Sequence, residues 1–169
     1  YTPQDGVVVG LGRAPEGQLT ESIAGLTLSV AADAFFQVNL SCAELLLNAF
    51  RERVKGCRRV FDLYCGTGLF GFVAAQAGAQ EIFGLETSAS AVASAKANAL
   101  QMGIKADYRC APSEWLPSHL PEADLWIVDP PRDGLSDEVR QNLLEHAPSR
   151  IAYISCGPDT LARDLAQLS

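Results

Sequence analysis

The chain has 169 residues, enough for one ordinary domain, and its 48% apolar and 20% charged residues exclude a disordered chain. No apolar run reaches the ~20 residues that span a bilayer, and no basic, apolar leader of the secretory type stands at the start. The formal charge of −7 excludes a strongly basic nucleic-acid module. It does not exclude a catalytic domain whose phosphate grip lies elsewhere.

The first part of the chain, residues 1 to about 33, is punctuated by Gly6, Gly10, Gly12, Gly17 and Gly25 between short β-like runs, among them Val7 to Val9 and Leu26 to Val30. It is expected to form a small β extension or the end of a preceding domain. A helix over Ser41 to Val54 then leads into a regular alternation. Arg59 to Leu63 is a predicted strand. Gly68 to Ala77 is a predicted helix, with Leu69, Phe72, Val73 and Gln76 at helical spacing. Glu81 to Leu85 is a second strand. An Ala-rich helix follows over Ser88 to Gln101, with Ser88 as its N-cap. Strands are predicted at Lys105 to Arg109 and Leu125 to Val128, a helix at Asp137 to His146, a strand at Arg150 to Ile154 and a helix at Pro158 to Leu168. Strands alternating with helices imply a doubly wound, mostly parallel α/β sheet covered by helices.

Three constellations sit at the predicted strand ends. The first is Asp62-Leu63-Tyr64-Cys65-Gly66-Thr67-Gly68, which joins the first strand of the sheet to its first helix. Ligands of open α/β sheets lie beyond the carboxyl ends of the strands, and glycines let the backbone approach them. Glu86 ends the next strand, where a carboxylate suits the two hydroxyls of a ribose. The loop lacks the G-x-G-x-x-G pattern of a pyrophosphate cradle, which disfavours NAD. A nucleoside site and a plain glycine turn are the competing readings.

The second constellation is Asp129-Pro130-Pro131-Arg132-Asp133-Gly134, after the fourth strand. Its prolines stiffen a loop that presents Asp129, unless it is a rigid turn with a capping Asp. The third runs from Ser155-Cys156-Gly157-Pro158 through Arg163-Asp164. Cys156 stands just before a helix, a position that favours thiolate. Arg132 and Arg163 are candidates to add positive potential. Cys42, Cys57, Cys65 and Cys110 are expected to be buried structural thiols. With no C-x-x-C pair, and with His119 and His146 far apart, no metal site is expected. The odd cysteine count argues against a disulfide framework and for reduced thiols in the cytoplasm.

These motifs, preceded by Phe35-Phe36-Gln37-Val38-Asn39, occur in an order that resembles the RNA uracil-5-methyltransferases of transfer or ribosomal RNA, over residues 34 to 169. The resemblance implies a class I S-adenosylmethionine-dependent methyltransferase fold. It implies cofactor contacts at Gln37, Tyr64, Gly66, Gly68, Glu86 and Asp129, Asp129 also lying near the base. It implies an RNA substrate, and Cys156 as the nucleophile that adds to carbon 6 of uracil. Phe35 and Phe36 are read as core rather than as stacking platforms. The chain has Leu69 where the family often has Asn. The family's catalytic Glu falls in a segment well beyond the Cys motif, and Glu138 and Glu145 do not match its place. The chain is therefore expected to be a piece of a longer protein, its sheet incomplete at the C-terminus, and alone to bind S-adenosylmethionine weakly if at all and to be unable to complete turnover, since a covalent adduct could form but not eliminate. Two other functions compete. One is methylation of amino groups, which such enzymes often serve with an aromatic where this chain has Arg132. The other is a non-catalytic nucleoside- or RNA-binding module.

Overall fold

The computed structural model describes residues 17–31, 40–116 and 122–168. The elements, in chain order, are β1 (Gln18–Ile23), β2 (Leu26–Ala31), α1 (Leu40–Arg53), β3 (Arg59–Leu63), α2 (Leu69–Gln76), β4 (Glu81–Glu86), α3 (Ala89–Met102), β5 (Ala106–Cys110), β6 (Leu125–Val128), α4 (Asp137–His146), β7 (Ile151–Tyr153) and α5 (Pro158–Leu168).

Strands β3 to β7 make one five-stranded sheet in the order β5-β4-β3-β6-β7, parallel throughout. The chain builds outward from β3 to one edge, then returns to its other side at β6. Such a reversal opens a crevice at the carboxyl ends of the two central strands. The doubly wound sheet expected from the strand–helix alternation is therefore present, with β3, β6, α4 and α5 at the predicted bounds.

Alternation along the strands divides the core between the two sheet faces. Val60, Ile82, Tyr108, Leu125 and Ile127 face α1, α2 and α3. Phe61, Leu63, Leu85, Trp126 and Val128 face Leu135, Val139 and Leu143 around α4. Helix α2 is buried from Leu69 to Ala74, so it is apolar all round rather than striped. Ser88 caps α3 as expected, its Oγ accepting from Ala91 N at 3.3 Å.

Strands β1 and β2 form an antiparallel hairpin through a tight turn at Ala24 and Gly25, both at positive φ. Its inner residues Ile23, Leu26, Leu28 and Val30 belong to the core formed by α1, α2 and α3. Two buried polar residues of α3 grip β2: Asn98 bonds both the N–H and the carbonyl of Ser29, and Ser94 Oγ accepts from Ala31 N at 3.1 Å. The expected strand Val7 to Val9 lies outside the described residues.

Candidate active site

The loop after β3 is built by its glycines. Gly66 and Gly68 hold φ of 52° and 88°, conformations that cost a side chain strain. Nothing stands within 4 Å of where a Cβ would lie at Gly66, so the loop backbone is bare on that side. A Cβ at Gly68 would lie 2.8 Å from both Phe72 Cζ and the Tyr108 hydroxyl, so the loop descends onto Tyr108 with no room to spare. Tyr64 also has a positive φ, 62°, unusual for a residue with a ring. The Tyr64 phenol is pushed up to about 12, chiefly by burial, with the Glu114 carboxylate adding to it.

Three carboxylates surround this loop. Asp62 is buried, and its Oδ2 accepts from Gly71 N in α2 at 3.0 Å, while Oδ1 has no hydrogen-bond partner among the described residues. Burial pushes its carboxyl up to about 8 against the effect of that bond, and the nearby Asp129 and Glu86 carboxylates raise it further. Glu86, the last residue of β4, accepts from Gly66 N at 3.0 Å through Oε2 and from Ser88 N at 2.8 Å through Oε1. It thus ties the glycine loop to the cap of α3. Asp129 follows β6, half-buried, and desolvation raises its carboxyl to about 6. A bare glycine backbone beside a carboxylate anchored at the next strand end fits the adenosine half of a nucleoside cofactor.

Cys156 follows β7 and is exposed. It lies at the carboxyl end of the strand paired with β6, so Glu86, the glycine loop, Asp129 and Cys156 occupy consecutive strand ends of one sheet edge. Gly157 lies against the neighbouring loop: its Cβ would be 3.8 Å from the carbonyl of Arg132. Arg163 is not spare positive charge, as the sequence reading had it. Its guanidinium bonds Asp164 and the carbonyl of Asp133.

Burial of the other cysteines splits in two. Cys57 and Cys65 are buried, as structural thiols should be, but Cys42 and Cys110 are exposed. Cys110 ends β5, an edge strand, where one side of the residue meets no neighbouring strand. Gln37, Phe35 and Phe36 lie outside the described residues. Sequence reasoning missed Tyr108, Arg140 and Tyr153, and gave Asp164 no role. Only the Arg163-Asp164 pair stood inside a motif. Among the described residues, no group of three or more His, Cys, Asp or Glu side chains forms a metal site, and no helix is long and apolar enough to cross a membrane.

A five-stranded parallel core with this glycine loop, this strand-end acid and this reversal of strand order is the class I methyltransferase fold. Residues 32–153 match the methyltransferase small domain, and the chain belongs to that family. It is 42% identical over 154 residues to an uncharacterized RNA methyltransferase of Thermosynechococcus vestitus, covering 89% of this chain and 34% of the relative. It is 36% identical over 151 residues to an uncharacterized RNA methyltransferase of Caldanaerobacter subterraneus, covering 87% and 33%. The chain thus spans about a third of the length of these curated relatives. Among solved structures it is similar to the Pyrococcus abyssi tRNA (uracil-54, C5)-methyltransferase in complex with S-adenosyl-L-homocysteine. That likeness has a TM-score of 0.81 and 29% identity, over 94% of this chain and 39% of the other.

Proposed function

We propose that residues 34–169 act as the catalytic domain of an S-adenosylmethionine-dependent RNA methyltransferase that methylates carbon 5 of a uridine in transfer or ribosomal RNA, with residues 1–33 as its β extension. The observation that carries this reading is the position of Cys156, an exposed thiol at the same sheet edge as the glycine loop and one strand from Asp129. Amino-group methylation needs no such thiol. The Pyrococcus neighbour's uracil C5 specificity supports the same choice.

S-adenosylmethionine, when bound, supplies an electrophilic methyl group. Glu86, fixed by Gly66 N and Ser88 N, would present its carboxylate to the ribose hydroxyls. Gly66 and Gly68 would allow close approach of backbone, and the family resemblance assigns further contacts to Gln37 and Tyr64 and the methionine end and the base to Asp129.

The target carbon is a poor nucleophile until it is activated. The Cys156 thiolate adds to carbon 6 of uracil, forming a C–S bond and moving the ring π electrons into an enolate. The enolate makes carbon 5 nucleophilic enough to accept the methyl group that S-adenosylmethionine would supply, with S-adenosylhomocysteine as the leaving product. Removal of the proton at carbon 5 by a base re-forms the double bond and expels the thiolate. The test is incubation of the longer protein that carries this domain with RNA and methyl-labelled S-adenosylmethionine, followed by nuclease digestion and nucleoside mass spectrometry. Label in 5-methyluridine is the expected result; label only in an N-methylated nucleoside refutes the reading.

A further inference from the structure

We infer that Asp164 is a positioning residue, the clasp that holds the loop after Asp129 and the segment carrying Cys156 as one unit. The inference rests on the reading of those two residues as parts of one site.

Asp164 is fully buried in α5, a helix otherwise exposed or partly exposed. It is nevertheless satisfied from four directions. Oδ2 accepts from Leu135 N at 2.8 Å and from the Tyr153 hydroxyl at 2.6 Å. Oδ1 accepts from Arg140 Nη1 at 3.0 Å and from Arg163 Nη2 at 2.7 Å. Burial alone would raise its carboxyl; the Leu135, Tyr153 and Arg163 donors hold it below the usual value instead.

The donors come from both halves of the site. Leu135 ends the loop that begins at Asp129, and Tyr153 ends the strand that leads to Cys156. Arg140 closes the ring by donating also to the Leu135 carbonyl, and Arg163 extends it to the Asp133 carbonyl at 2.8 Å. Gly134 makes the fit possible: at φ 80°, a Cβ there would lie 2.5 Å from both Arg163 Nη2 and Asp164 Oδ2. By contrast, the glycine loop and Glu86 make no hydrogen bond to Asp164 among the described residues. Asp164 and Arg140 reach the glycine loop only through their charges on the Tyr64 phenol, so the clasp bears chiefly on the substrate side of the crevice.

The experiment compares the full chain with Asp164→Asn, an isosteric change that removes the charge. Three readouts are taken: affinity for S-adenosylmethionine by calorimetry, hydrogen exchange by segment, and the rate of covalent adduct formation with single-stranded RNA whose uridines are replaced by 5-fluorouridine. Affinity is expected to change by less than adduct formation does, because neither Glu86 nor the glycine loop bonds Asp164 among the described residues. Exchange is expected to rise together at 131–135 and 153–157 while 62–71 keeps its protection. Adduct formation is expected to slow at least about tenfold, since small misplacement of a nucleophile is costly. Adduct formation at the wild-type rate, or exchange rising in one segment only, overturns the inference. If Asp164→Asn does not fold, Tyr153→Phe and Arg163→Gln each remove one donor and carry the same expectations at smaller size; wild-type behaviour in both overturns it. If the wild-type chain binds S-adenosylmethionine yet forms no adduct, the Cys156 assignment fails, and the coupled exchange decides the clasp by itself.

Discussion

Asn98 of α3 closes a pair of hydrogen bonds on Ser29 of β2: its Oδ1 accepts from the Ser29 N–H at 2.8 Å and its Nδ2 donates to the Ser29 carbonyl at 2.9 Å. Asn98 is buried, so neither backbone group of Ser29 has water as an easy substitute. Asn98→Ala is expected to destabilise the chain by about 1–3 kcal/mol, the cost of buried groups left unpaired. Hydrogen exchange should rise across β2 before it rises in β3 or β6. Uniform exchange in all three strands would mean that the hairpin is held by its apolar face alone.

Glu86 acts on the cofactor loop through the loop's own backbone. Glu86→Ala removes the acceptor for Gly66 N and Ser88 N together with the partner proposed for the ribose. A hydrogen bond to a charged group contributes about 1.5–3 kcal/mol, so affinity for S-adenosylmethionine should fall at least about tenfold. Calorimetry measures it; an unchanged Kd would remove Glu86 from the site.

Asp62 gives stability a pH dependence of definite sign. Its folded carboxyl, pushed up to about 8 by burial, holds a proton that the unfolded chain has already released. Stability from this group is full below about pH 4 and declines as pH rises toward 8. Asp129, raised to about 6, adds a decline of the same sign over the lower part of that window. Asp62→Asn keeps an acceptor for Gly71 N without the charge. Its stability relative to the wild type should therefore improve from pH 5 to pH 8, by about 1 kcal/mol or more. Urea unfolding at several pH values checks this, and a constant difference would contradict it.

Tyr108 carries a buried hydroxyl that has no hydrogen-bond partner among the described residues, while its ring fills the space left by Gly84. Tyr108→Phe should thus be neutral or slightly stabilising, since it removes an unpaired polar atom and keeps the ring. Gly84→Ala should do the opposite. Its Cβ would lie 2.6 Å from Tyr108 Cε1 and 3.0 Å from Cys65 Sγ, an overpacking worth about 1–3 kcal/mol. Thermal unfolding of the two variants should move in opposite directions, or at most leave Tyr108→Phe unchanged.

Much of the sheet was legible because its signals are local. Apolar runs at Arg59–Leu63 and Leu125–Val128 sit between turn residues, and Asp137–His146 follows the Ser136 cap. Strand ends moved by a residue or so where pairing rather than composition sets them, as at β7, reduced to Ile151–Tyr153. The clasp was not legible, because Asp164 meets partners at Leu135, Arg140 and Tyr153 that only the fold brings near. Cysteine exposure was likewise hidden, since Cys110 reads as a buried structural thiol until it is found at the end of β5, at a sheet edge. The role of Asn98 was hidden in an Ala-rich helix for the same reason.

The most direct test of a shared site is covalent trapping. The chain is incubated with S-adenosylmethionine and RNA in which 5-fluorouridine replaces uridine, beside a Cys156→Ala variant. Fluorine at carbon 5 cannot leave as a proton does, so a thiolate adduct should persist through denaturing electrophoresis. A stable protein–RNA adduct is expected in the wild type, one that contains the transferred methyl group, maps to Cys156 by peptide mass spectrometry, and is lost in the variant. An adduct of equal yield in Cys156→Ala, or methyl transfer to RNA that the variant retains, would contradict it.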